Sequence, residues 1–274
     1  MKYLLNRNLF FFSGLITMVL SSFTVSAQSQ LSKEEATEVR KKMFESSEKI
    51  NTVVYKIDCK KKRLSDNDTV YTTAICSLYI NPKDRLKAYH IVDKESTSSG
   101  GKGYAHTKYD GKRTFNFNRL VDSLDVYKEP YIDEDKRMVQ VMVQNYSYLL
   151  LGEYFALRKP SDKGNSQAES IVITEEMFKD TMVYCVTIDF KDNEGARDRV
   201  GKIYISKSDY LPVAGSAFGK WETMEEYDDY EIEYLAINPD ISLENFKIDK
   251  NETINPVERY RTFKEKVKGL ESIN

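Results

Sequence analysis

Thr52-Val53-Val54-Tyr55-Lys56-Ile57-Asp58-Cys59-Lys60-Lys61-Lys62 alternates in character from one residue to the next. Val53, Tyr55, Ile57 and Cys59 share one side, and Val54, Lys56, Asp58 and Lys60 share the other. A period of two is what a strand with one covered face requires. The cluster Ser65-Asp66-Asn67-Asp68 follows, made of side chains that bond their own backbone in turns. Residues 69–80 are a second strand-like run that stops at Asn81-Pro82, so the two runs read as a long hairpin.

Outward from this hairpin the same grammar repeats. Strand patterns are expected over residues 85–92, 104–109 and 113–117, with a flexible Gly/Ser loop over 96–101 and the Asp110-Gly111 turn between the last two. A further strand is expected over 123–127, and others over 170–174, 182–190, 200–205, 211–218 and 221–237, where Asn238-Pro239-Asp240 ends the pattern. Strands joined by short turns form an antiparallel sheet, and nine or ten of them are enough to curl.

Two stretches break the rhythm. Ser32-Lys33-Glu34-Glu35 is a capping box, and Ala36, Val39, Met43 and Ile50, with Phe44 beside them, follow at helical spacing. Residues 136–157 place Met138, Val139, Val141, Met142, Tyr146, Leu149, Leu150 and Phe155 around most of a helical wheel, the pattern of a buried helix. Residues 251–274 read as a charged, peripheral, helical tail. The expected fold is mostly β with helices (α+β), a curled antiparallel sheet filled by helices. Its domain covers residues 28–250.

Residues 1–27 have the form of a cleaved export signal: Lys2 and Arg7, an apolar run over 9–20, then Val25-Ser26-Ala27. The run is shorter than the ~20 residues that span a bilayer. No cysteine follows the cut, so the expectation is a periplasmic or secreted chain without a lipid anchor or a stable membrane span. Over the full 274 residues the formal net charge is −2 and the aromatic content 12%. A pI of about 5.9 lacks the basic excess that binds phosphate backbones, so nucleic acid is not an expected partner. A mean hydropathy of −0.55 excludes a multi-span membrane protein.

Little in the sequence points to catalysis. If the hairpin turn is centred between Asn67 and Asp68, Cys59 falls opposite Cys76 on the less polar side of each strand. That placement allows a disulfide in an oxidising compartment, and two buried free thiols are the other reading. Cys185 is left over. There is no Cys-x-x-Cys, and His90 and His106, the two histidines, read as ordinary strand residues. No zinc, triad or phosphate-loop motif is present, so no catalytic residue, metal or cofactor is assigned. Asp229, Glu231 and Glu233 alternate with Tyr230, Ile232 and Tyr234, which is how a half-buried strand shows its solvent face.

The helix-then-hairpin start, Tyr109-Asp110-Gly111-Lys112, the apolar helix and the closing run Asp209-Tyr210-Leu211-Pro212-Val213 … Tyr227-Asp228-Asp229-Tyr230 … Asn238-Pro239-Asp240-Ile241 … Phe246 carry a resemblance. Over roughly residues 31–248 the chain resembles the LolA/LolB-like lipoprotein-carrier superfamily of periplasmic proteins. The resemblance implies an unclosed half-barrel around two or three helices, with an apolar interior for a lipid, an acylated protein or another hydrophobic small molecule. An envelope sensor or protein-interaction module on the same fold is the alternative, with an envelope protein as partner. A thiol redox protein is a further one.

On the residues themselves, the cavity candidates are Val39 and Met43 on the first helix and Tyr55, Ile57, Leu78 and Ile80 on the hairpin. Met138, Met142, Tyr146, Leu149 and Leu150 on the second helix complete the set. The same side chains would serve equally as plain core.

Overall fold

The computed structural model of the protein describes residues 29–64, 68–81, 88–124, 131–133, 168–193, 195–249 and 251–271. Its strands are β1 (Ser29–Gln30), β2 (Thr52–Lys62), β3 (Val70–Tyr79), β4 (Tyr89–Ser98), β5 (Gly101–Tyr109) and β6 (Thr114–Leu120). They continue with β7 (Tyr131–Asp133), β8 (Ala168–Phe178), β9 (Thr181–Phe190), β10 (Ala196–Ser206), β11 (Pro212–Trp221) and β12 (Met224–Ile237). The helices among the described residues are α1 (Lys33–Glu48) and α2 (Pro256–Glu271).

All strands join one antiparallel sheet in the order β1-β8-β9-β10-β11-β12-β2-β3-β4-β5-β6-β7. Two meanders meet where β12 pairs with β2, setting Tyr234 opposite Tyr55 and Ile232 opposite Ile57. The sheet ends at two short strands that do not pair with each other, so the half-barrel is unclosed. The fold is mostly β with helices, as the alternation requires. The Gly/Ser loop expected over 96–101 is smaller than expected, since β4 runs to Ser98 and β5 starts at Gly101. Of the strand expected over 123–127, Ser123 ends a single helical turn, Val121–Ser123, and residues 125–127 lie outside the described residues. The helix expected over 136–157 lies outside the described residues.

Among the described residues, each face of the sheet carries one helix. At the start of α1, the Ser32 hydroxyl accepts from the Glu35 amide at 3.2 Å and the Ser32 amide donates to Glu35 Oε2 at 2.8 Å. Those bonds hold the Glu35 carboxyl below its ordinary range. The helix buries Val39 and Met43 against Val53, Tyr55, Ile57, Cys59, Ala74, Cys76 and Leu78. Because side chains alternate across a strand, Val54 and Ile75 point the other way. There they join Tyr104, Phe115 and Phe117 in a second core that α2 closes with Phe263 and Val267. Expected to be peripheral, the tail thus supplies one side of a core.

The hairpin register corrects the cysteine pairing. Cys59 lies opposite Thr72 and Cys76 opposite Tyr55, so the two cysteines sit four residues apart along the ladder. At about 3.4 Å per residue this is roughly twice the Cα separation a disulfide tolerates. Both thiols are free and buried, on the same face as expected but out of register. The turn is not centred between Asn67 and Asp68: Lys61 pairs with Val70 and Cys59 with Thr72, which puts the centre of the connection two residues earlier in the chain. Thiol titration of the unfolded protein should therefore count three sulfhydryls, and a reductant should leave the melting curve unmoved. A count of one would restore the bridge.

Candidate functional site

The six described cavity candidates come together, but as packed core. Val39, Met43, Tyr55, Ile57, Leu78 and Ile80 all belong to the cluster under α1, each almost inaccessible to solvent. Met138, Met142, Tyr146, Leu149 and Leu150 lie outside the described residues. Among the described residues, the rest of the α1 face is only partly covered. Across β9, β10 and β12, Tyr184, Ile188, Ile203, Tyr230, Ile232 and Tyr234 pack against the core yet stay half-buried. Register puts them on one side: Ile203 faces Val186, Tyr230 faces Cys59 and Tyr234 faces Tyr55.

Two local features shape this surface. Gly215 lies directly opposite Tyr230, and a Cβ at that position would overlap the Tyr230 ring. The missing side chain lets the ring lie flat on β11, which broadens the apolar floor. At the edge, Tyr184 stacks on Tyr210, with ring centroids 6.0 Å apart. The Lys42 ammonium donates to the Tyr210 hydroxyl at 3.3 Å, and the Lys207 ammonium lies 4.9 Å from the Tyr184 ring centre. Lys207 also pairs with Glu175 at 2.6 Å. The apolar stripe thus ends in a rim of aromatic rings and ammonium groups, the amphipathic order that suits a chain with a polar end.

The three cysteine thiols are buried, and none is in a disulfide. Burial pushes the Cys59 thiol up to about 12, and likewise raises Cys76 and Cys185. Thiols so raised stay protonated and unreactive at neutral pH, which counts against redox catalysis. No group of three or more His, Cys, Asp or Glu among the described residues is placed to hold a metal ion.

The most concentrated polar cluster is on the α2 face. Asp93 Oδ1 accepts from the Tyr104 hydroxyl at 2.7 Å and from Arg259 Nε at 3.0 Å, and Oδ2 accepts from Arg259 at 3.1 Å. His106 Nδ1 lies 3.0 Å from both Asp93 Oδ1 and Arg259 Nε, donating to the first in one tautomer or accepting from the second in the other. Burial alone would raise the Asp93 carboxyl, but His106 and Arg259 hold it well below the usual range. His106 is itself lowered, burial outweighing the pull of Asp93. With its carboxylate saturated by a guanidinium and a phenol, this group is a clamp between α2 and the sheet rather than an acid–base pair. Sequence reading missed it, since residues so far apart along the chain share no spacing motif. Only the presence of two histidines in apolar strands hinted that one was buried.

No family model matches the chain, and neither does any curated protein. Among solved structures, it is similar to the crystal structure of MucB, at 10% identity and a TM-score of 0.36, over 81% of this chain and 65% of that one. The Pseudomonas aeruginosa MucA/MucB complex gives 8% identity and a TM-score of 0.34, over 80% of this chain and 63% of that one. The chain therefore spans a little under two thirds of the length of these structures. A putative outer membrane lipoprotein-sorting protein domain from Vibrio parahaemolyticus is similar at 10% identity and a TM-score of 0.30, over 78% of this chain and 97% of that one.

Proposed function

We propose that this chain is an exported, non-catalytic protein of the cell envelope that holds a lipid or acyl chain on the α1 face of its open sheet. The observation that carries the reading is the half-buried stripe of Tyr184, Ile188, Ile203, Tyr230, Ile232 and Tyr234, continuous with the core that α1 covers. The ammonium and aromatic rim at Lys42, Tyr210, Tyr184 and Lys207 would meet the polar end of such a ligand. Each buried methylene contributes about 0.8 kcal/mol, so affinity would come from length and discrimination would be weak. The export signal read over residues 1–27 supports the compartment. In addition, no helix among the described residues is long and apolar enough to cross a membrane.

Displacement of a fluorescent fatty acid tests the assignment. Ile203→Asn and Ile232→Asn each place an amide in the stripe, and each should weaken binding about tenfold or more, while circular dichroism shows the sheet retained. Unchanged affinity in both variants would remove the α1 face as the site. A second reading, a protein-interaction module, draws on one observation: Ile171, Met177 and Met182 are exposed on β8 and β9 at the end of the sheet. It gains if the protein takes up no fatty acid.

A further inference from the structure

The α2 side of the sheet, away from α2 itself, contains a cavity of about 590 Å³ between β2, β12, β11 and β10. That volume is of the size that small-molecule sites occupy. Its floor is made of the small side chains Ala214 and Ser216 on β11, and its walls include the rings of Tyr71, Phe178 and Tyr204. Phe178 and Tyr204 are stacked, with centroids 5.0 Å apart and planes 23° from parallel. Tyr71 is more than half exposed, so the aromatic wall opens to solvent.

The electrostatics of the lining are one-sided. Asp58, Asp229 and Glu231 border the cavity against a single cation, Lys60. Asp58 and Glu231 are direct partners across the β2–β12 ladder, and Asp229 follows two residues from Glu231 on the same face. Like charges set directly opposite each other cost a sheet stability. Relief from the chain is partial. Lys56 pairs with Asp58 at 3.0 Å and Lys179 pairs with Glu231, while the Lys60 ammonium lies over the Tyr227 ring, 5.0 Å from its centre. Asp229 has no hydrogen-bond or ion-pair partner among the described residues, and burial raises its carboxyl despite Lys60. The carboxylates are not gathered closely enough to hold a metal ion. A larger cation with an apolar body fits both the spread of charge and the rings, whose faces attract ammonium groups.

We propose that this cavity binds a small organic ammonium ion, its charge met by Asp229 and Glu231 and its body by Tyr71, Phe178 and Tyr204. The site is separate from the α1 face, so it stands or falls independently of the lipid reading. Titration calorimetry of the mature protein with benzyltrimethylammonium tests it, with benzyl alcohol and benzoate as neutral and anionic counterparts. The cation should give saturable heat and the counterparts none. Asp229→Asn, which keeps the shape, should weaken the cation about tenfold or more, and Tyr71→Ala should weaken it several-fold. Both variants should keep the wild-type fatty-acid affinity, and the ligand-free unfolding midpoint of Asp229→Asn should be unchanged or raised, since a like charge has gone. Absence of heat with the cation, equal binding of benzyl alcohol, or wild-type affinity in Asp229→Asn would each overturn the proposal.

Discussion

Removing residues 250–274 should leave a chain that no longer unfolds cooperatively. The truncation takes away α2 and with it Phe263 and Val267, which are buried against Ile75, Tyr104, Phe115 and Phe117. It also takes Arg259 from Asp93, leaving the half-buried carboxylate without its guanidinium and with only Tyr104 and His106 beside it. At about 1.5–3 kcal/mol per large apolar side chain uncovered, and several lost from each surface, the change is of order 10 kcal/mol. A domain with a net stability of roughly 5–15 kcal/mol has little left after that. The measurement is urea unfolding followed by circular dichroism, with the point variant Phe263→Ala as a milder case costing about 3–5 kcal/mol. A truncated chain with a cooperative transition near the wild-type midpoint would show that α2 is an ornament after all.

Acidification should destabilise the protein well before ordinary carboxylates titrate. His90 is fully buried on β4, its Nδ1 3.0 Å from the Ala88 carbonyl oxygen, and burial pulls its pKa from 6.5 down to about 4. His106 is lowered as well, again by burial first. A base whose folded pKa is depressed binds its proton more readily in the unfolded chain. Its contribution is complete above 6.5 and disappears as the pH falls toward 4, where the unfolded histidine is charged and the folded one is not. For His90 the difference corresponds to about 3 kcal/mol across that window. Asp93 acts in a different range, because its depressed carboxyl loses its contribution only below the normal aspartate value of 3.8. Urea midpoints should therefore be flat from pH 8 to about 7, then fall from there to pH 4, with the slope reduced in His90→Gln. A midpoint that is level down to pH 4.5 would contradict the burial of both imidazoles.

The hairpin shows how far sequence reading reached. Alternation in Thr52–Lys62 is a local property, so the strand, its face and its antiparallel partner could all be read. Register depends on where the turn is centred, and a cluster of turn-forming residues from Ser65 to Asp68 leaves several centres equally good. An offset of four residues keeps every side chain on its proper face, so hydrophobic patterning could not detect it. The same reasoning separates the two helices. The capping box fixed the start of α1, whereas nothing in 251–274 announced which apolar surface its few hydrophobic residues would meet. The clamp of Asp93, His106 and Arg259 joins strand and tail over long separations and had no local signature. At the acidic run, alternation correctly put Asp229 and Glu231 on one face. That this face is a cavity depends on Ala214 and Ser216 of the next strand and on Phe178 and Tyr204 beyond it.

Whether the α1 face carries a lipid is tested most directly by native mass spectrometry of the mature protein, purified gently from its own envelope and followed by organic extraction. The expected result is a stoichiometric lipid or acyl chain that is lost in Ile203→Asn. A protein that is empty, and that also fails to take up a fluorescent fatty acid, would contradict the account and shift the function to a protein partner at the β8 and β9 end of the sheet.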